Sequence, residues 1–272
     1  MPKILTKTQY TNLQIPNIGA FRRIAEMLEN DMRFLTEILG ATLFGSYVTN
    51  QHQLSSNLNL AVFYKGDEAR LSHQLKEIIE EARKTHVPLS VLALSEKDPY
   101  YHHSYFYGLS IRNMLHYYEN KGGLLGDSVA QKIDSQLNLE DSIKYFLAKR
   151  IRQLSIGMVF YKQLSAEGKS LLFSRMIGAA HTGARLMVSI RLKNKNSAHA
   201  FDEKELYEAF SEVAGTSPQF YFKQQQELLR RYNEMLKKKT GKGQTYDTFQ
   251  RELYKALPNC LELLRYLLTR LD

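Results

Sequence analysis

Leu43-Phe44-Gly45-Ser46, then ten residues, then Asn57-Leu58-Asn59-Leu60: this stretch decides the fold. An apolar run closes on a glycine-serine pair, and a second apolar run opens on two amides two positions apart. Side chains alternate across a strand, so residues at that spacing share one face of a sheet. Ala41 to Phe44 and Leu58 to Tyr64 read as strands, the second closed by Gly66-Asp67. Ahead of them, Ile18, Phe21, Ile24, Leu28, Met32, Leu35 and Ile38 recur at spacings of three and four, which predicts a helix from about Asn17 to Leu39 ended by Gly40. Behind them, Arg70 to Lys84 sets Leu71, Leu75, Ile78, Ile79 and Ala82 on one face, and Val87 to Leu94 is a third strand candidate. Helix, strand, strand, helix, strand is an α/β or α+β order.

Past Leu94 the chain turns polar and aromatic from Ser95 to Tyr107, then reads as a helix from Gly108 to Tyr118 and a glycine-marked turn or edge strand from Gly122 to Gly126. A boundary is expected near Asp134 to Leu139. Beyond it the patterns are helical: Leu139 to Leu164, Gly168 to Ile190, Asp202 to Ala214, Tyr221 to Lys239 and Tyr246 to Leu271. The expectation is an α+β chain, with a mixed sheet and flanking helices in a domain over 1–135 and an all-helical bundle over 136–272.

The 272 residues are 43% hydrophobic and 24% charged, with a single Cys, which excludes collagen, low-complexity disorder and a disulfide scaffold. No apolar run approaches the roughly 20 residues of a bilayer span, and Met1 to Asn17 has no signal-peptide stretch, so no membrane partner and a cytoplasmic location are expected. Cys260, inside an apolar helical pattern, reads as a buried reduced thiol. The net charge of +9 is uneven: residues 1–140 carry 14 Lys+Arg against 15 Asp+Glu, whereas residues 141–272 carry 23 against 13. Such asymmetry favours a polyanion partner, nucleic acid first.

The stretch quoted first resembles the signature of the polymerase-beta-like nucleotidyltransferase superfamily, in which a strand ends in Gly-Ser and the next strand carries two aspartates two residues apart. The resemblance covers roughly Ala41 to Asp127 and the helix before it. It implies that Gly45 and Ser46 hold the phosphates of a nucleoside triphosphate, and that three acidic positions hold two Mg²⁺ ions for attack on the α-phosphorus. Those positions fall on Asn57, Asn59 and Ser90, all neutral. Magnesium is a hard cation normally held by carboxylates together with substrate phosphates. Three neutral replacements empty such a site, so the expectation is a degenerate enzyme with no catalytic residue, no metal and no cofactor, acting as a nucleic-acid-binding or partner-binding regulatory module. An active Mg²⁺-dependent nucleotidyltransferase is the alternative, and it needs acids from elsewhere, such as Asp67, Glu68 or Glu96.

The second half is similar to the helical domains appended to kanamycin-type nucleotidyltransferases and to the related HEPN domains, whose ribonucleases carry an Arg and a His four to six residues apart. Arg175 and His181 have five between them, but on a helix they stand about 120° out of alignment, which favours a packed His181 over a ribonuclease or toxin-antitoxin component. Gly168-Lys169-Ser170 lacks the glycine a P-loop needs at 163, and His102-His103 diverge and have no completing ligands. The candidate nucleic-acid contacts are Lys149, Arg150, Arg152, Arg191, Lys193, Lys195, Arg230, Arg231, Lys237, Lys238, Lys239 and Lys242, with aromatics at Phe220 to Phe222 and Tyr232 available for stacking. A protein partner or a second copy of the chain is the other expected occupant.

Overall fold

The computed structural model describes residues 2–32, 38–48, 50–65, 68–95, 139–191 and 202–271. They form a mixed α+β, mostly helical chain that divides into two compact units, Pro16–Ser142 and Met1–Ile15 with Ile143–Asp272. The short helix α1 (Lys7–Thr11) thus belongs with the C-terminal helices.

The Pro16–Ser142 unit runs α2 (Ile18–Met32), β1 (Ile38–Phe44), β2 (Leu58–Tyr64), α3 (Glu68–Gln74), α4 (Lys76–Lys84) and β3 (Leu89–Ser95). The described strands form one sheet in the order β1-β2-β3, antiparallel between β1 and β2 and parallel between β2 and β3. Parallel neighbours need a crossover, which α3 and α4 supply. Alternation along β2 sends Leu58, Leu60, Val62 and Tyr64 to one face, where they bury against Phe21, Ile24 and Leu28 of α2 and against Leu71, Leu75, Ile78 and Ala82. The opposite face carries Asn59 and Ala61.

Three boundaries differ from the sequence reading. Ile38 and Gly40 belong to β1, where they face Tyr64 and Phe63 across a register shift, because strand pairing outweighs a helical spacing that continues past the helix. The Arg70 to Lys84 helix is two, broken at Leu75. β3 begins at Leu89 because Pro88 has no N–H for the ladder; its carbonyl accepts from Leu58 N at 2.9 Å. The expected helix from Gly108 to Tyr118, the turn at Gly122 to Gly126 and His102-His103 lie outside the described residues.

The other unit contains α1, most of α5 (Leu139–Val159), a 3-10 turn at Tyr161–Gln163, α6 (Ala166–Arg191), α7 (Glu203–Val213), α8 (Thr216–Lys238) and α9 (Gly243–Thr269). α7 starts on a capping box between Asp202 and Glu205. α8 begins five residues before the expected Tyr221, with Pro218 in its first turn, where a missing N–H is harmless.

Residues 1–15 do not join the α/β domain as expected, because Ile4 and Leu5 are buried in the helical unit and their backbone groups find hydroxyl partners there. Ile4 N donates to Ser174 Oγ at 2.9 Å, Leu5 N donates to Tyr232 OH at 2.7 Å, and Tyr246 OH donates to the Leu5 carbonyl at 2.6 Å. The Ser170 hydroxyl donates to the Ile4 carbonyl. One extended dipeptide therefore ties together α6, α8 and α9. Tyr246→Phe, which strands the buried Leu5 carbonyl, should lower unfolding free energy in urea by about 1–3 kcal/mol and speed amide exchange across Ile4 and Leu5.

Candidate functional site

The sheet register assembles the residues singled out by the sequence. Asn59 stands opposite Phe44 on β1 and opposite Ser90 on β3, so the side chains of Phe44, Asn59 and Ser90 share the face turned away from α2. Gly45 and Ser46 follow Phe44 directly, and Asn57 leads into β2. Gly45, Ser46, Asn57, Asn59 and Ser90 therefore meet at one end of the sheet. The loop between β1 and β2 is anchored there by Tyr47 and His52, whose rings lie 5.1 Å apart, with His52 a further 5.5 Å from Phe21 on α2. Burial pushes the His52 imidazole down and the Tyr47 phenol up from their usual values.

Asn59 is occupied by the backbone. Its Nδ2 donates to the Phe44 carbonyl and to the Asn57 carbonyl, each at 3.4 Å. The same nitrogen roofs Gly45: a Cβ there would come within 2.7 Å of it, and Gly45 also has φ +87, a conformation that only glycine takes freely. An aspartate at 59 would aim an oxygen at two carbonyl oxygens with no proton to share, so the amide is built into the geometry. The Oδ1 of Asn57 is buried and has no hydrogen-bond partner among the described residues.

This set does not fit two Mg²⁺ ions. The residues at the implied ligand positions bring no charge, and Asn59 turns N–H groups where a ligand oxygen would be required. Among the described residues no group of three or more His, Cys, Asp or Glu comes together to hold a metal ion. Of the acids considered as replacements, Glu68 accepts from Tyr64 OH at 2.6 Å at the far end of β2, five residues from Asn59 along the strand. Asp67 and Glu96 lie outside the described residues.

The basic residues of the helical unit fall into groups with different partners. Arg230 pairs with Glu227 and Glu234, and Arg231 pairs with Glu252 at 2.7 Å, so both are neutralised. The Arg230 guanidinium holds the Glu227 carboxyl below the usual carboxylate range. Arg150 is buried, bonded to Gln153 at 2.7 Å and stacked over Phe146. Arg191 donates to the Arg270 carbonyl at 3.0 Å. Lys237, Lys238, Lys239 and Lys242 are exposed around the end of α8, and among the described residues none has an acidic partner. Lys7, also at this corner, pairs with Asp247 at 2.6 Å. Lys149 and Arg152 are exposed on α5. Lys193 and Lys195 lie outside the described residues. The aromatics do not join the lysines: Phe222 and Tyr232 are core, and Phe220 lies 17 residues up α8 from Lys237, about 25 Å away.

The remaining candidates have structural roles. His181 is buried beside Phe222 at 5.4 Å, with its Nδ1 3.4 Å from Glu203, and Arg175 turns elsewhere on α6, so the two present no joint surface within one chain. Cys260 is buried, its thiol pushed up by desolvation and directed at the Met176 carbonyl at 3.5 Å. Gly168-Lys169-Ser170 forms the first turn of α6 after a 3-10 turn, not after a strand. Compared with known protein families and with curated proteins, the chain matches none.

Two measurements probe this geometry. Gly45→Ala should cost about 1–3 kcal/mol, from backbone strain and from the close approach to the Asn59 amide. In a double-mutant cycle with Asn59→Ala, only the part due to that close approach should be relieved. The second concerns His181. Desolvation, the largest influence, and Arg185 depress its folded pKa, and Glu203 opposes them. The unfolded chain then takes up a proton near pH 6.5 that the native state refuses, so stability falls as pH drops below about 6.5, by at most about 1.4 kcal/mol per pH unit. His181→Gln should flatten that decline in urea titrations between pH 7.5 and 5.5.

Proposed function

We propose that the protein is a catalytically silent, nucleotidyltransferase-like cytoplasmic protein that binds nucleic acid through its helical unit. The observation that carries the silent assignment is Asn59, whose amide N–H groups are spent on the Phe44 and Asn57 carbonyls at the point where the resembled enzymes need a carboxylate. Two-metal phosphoryl chemistry depends on acids that draw divalent ions together and offset their charge. Asn57, Asn59 and Ser90 offer dipoles instead. Gly45 and Ser46 keep the turn that could meet a phosphate, but any counter-charge would have to come from Lys or Arg.

Support for a polyanion partner comes from the exposed, acid-free lysines at the end of α8. They also suit the negative end of the α8 dipole, but three consecutive lysines followed by Lys242 exceed what one helix end requires. Four cations at one corner favour phosphate contacts with little sequence preference. No helix among the described residues is long and apolar enough to cross a membrane. A buried, reduced Cys260 accords with a cytoplasmic setting.

The purified chain should incorporate no labelled nucleotide into RNA, protein or small acceptors with Mg²⁺ or Mn²⁺; metal-dependent incorporation that disappears in Ser46→Ala would overturn the silent assignment. It should bind a labelled oligouridylate with an affinity that falls linearly with salt on a log-log plot. Changing Lys237, Lys238, Lys239 and Lys242 to Gln together should reduce that slope by about 0.7 for each phosphate that is no longer neutralised. An unchanged slope would remove this corner from the interface.

A further inference from the structure

A different surface of the helical unit carries its own chemistry. α5 buries Ile143, Phe146, Leu147 and Leu154. At spacings of three and four on its outer side it presents Lys149, Arg152, Ile156, Val159 and, just past its end, Phe160. Ile156 is 50% exposed, Val159 71% and Phe160 53%. α6 continues the same flank. Gly157 packs directly on Leu172, and Leu147 reaches the position of Gly183, so α5 and α6 run antiparallel. The residue before each helix's contact point then turns to the same side, which brings Leu171, 47% exposed, alongside Ile156. Arg175, one turn beyond Leu171 on α6, adds a third cation to that side.

No described side chain of α5 is acidic, and α6 carries a single acid, Glu167, in its first turn. An exposed aliphatic cluster flanked by Lys149, Arg152 and Arg175, with Glu167 one turn before Leu171 as the one acid among the described side chains of α5 and α6, is a surface with a missing complement. We infer that the Ile156–Val159–Phe160–Leu171 face, with Lys149, Arg152 and Arg175 around it, docks an amphipathic helix of another protein whose apolar stripe is flanked by acidic side chains. Helix-on-hairpin docking matches apolar anchors at i, i+3 or i+4, and i+7, which is the spacing α5 offers. A second copy fits poorly, because this face carries three cations, Lys149, Arg152 and Arg175, against one described acid, Glu167, and offers its own copy little charge complement. Nucleic acid fits poorly too. Ile156, Val159 and Leu171 have no ring face for a base, which leaves Phe160 as the ring of this face, and Tyr145 of α5 already has Lys149 Nζ 5.8 Å from its centroid. The inference stands apart from the nucleic-acid reading, which rests on the end of α8.

The test uses the full chain and a fluorescent synthetic helix with leucines at helical spacing flanked by glutamates, against a permuted peptide of the same composition. The amphipathic peptide should bind saturably and at least tenfold more tightly than the permuted one. The Lys149→Glu/Arg152→Glu and Ile156→Ser/Val159→Ser variants, all at exposed positions, should each weaken it tenfold or more while melting at the temperature of the unaltered protein. Exchanging the flanking glutamates for lysines should restore binding to the Lys149→Glu/Arg152→Glu variant. Equal binding of both peptides, or no binding, overturns the inference. So does displacement of the peptide by an oligouridylate whose binding the same two variants abolish, or a dimer in sedimentation that Ile156→Ser/Val159→Ser dissolves. Loss of oligouridylate binding in the α8 lysine variant with peptide binding intact would separate this face from that corner.

Discussion

One amide decides what the end of the sheet can do. The Asn59 side chain bridges two backbone carbonyls, one on β1 and one just before its own strand, and sits against a glycine that has no room for a side chain. A carboxylate in that place would face the same two oxygens without a proton, and only a bound cation could make the arrangement favourable. The amide removes the need for the cation. Asn57 and Ser90 bring no charge either, so this end of the sheet lacks the carboxylates that normally hold Mg²⁺.

The helical unit has the complementary property of charge without acids in chosen places. Where cations and acids share a helix face, as with Arg230, Glu227 and Glu234, they pair and cancel. At the end of α8, Lys237, Lys238, Lys239 and Lys242 have no acidic partner among the described residues. The Ile4-Leu5 dipeptide fixes the helices of this unit to one another. By threading Ile4 and Leu5 between hydroxyls of α6, α8 and α9, it sets α1 beside the start of α9, where Lys7 pairs with Asp247 and the Tyr10 ring lies tilted 5.5 Å from that of Tyr246.

Much of this could be read from residue order. β2 matches its predicted limits because apolar alternation and the closing Gly66-Asp67 both mark it, and the helices after Leu139 follow their apolar periodicity. The grouping of Gly45, Asn59 and Ser90 is anticipated through the family resemblance, since register between strands is a long-range property that no local pattern supplies. Other features needed three dimensions. Ile38 carries the correct spacing for a helix and sits in a strand, because pairing with Tyr64 is a long-range event. The attachment of residues 2–15 to the far half of the chain depends on hydroxyls at Ser174, Tyr232 and Tyr246, which no local pattern marks. The neutralisation of Arg231 depends on Glu252, 21 residues away on another helix, so composition alone overstated the usable positive charge. The outward apolar stripe of α5 was hidden because a helix with apolar residues on two sides shows a blurred periodicity.

The central claim is that the Gly45–Asn59–Ser90 end of the sheet does not bind divalent metal. Titrating Mn²⁺ into the isotopically labelled protein, alone and with a nonhydrolysable nucleoside triphosphate, and following paramagnetic broadening of the Gly45, Ser46, Asn59 and Ser90 amides tests it most directly. No selective, saturable broadening of these four signals is expected up to millimolar metal. Saturable loss of the four together at micromolar Mn²⁺ would contradict it.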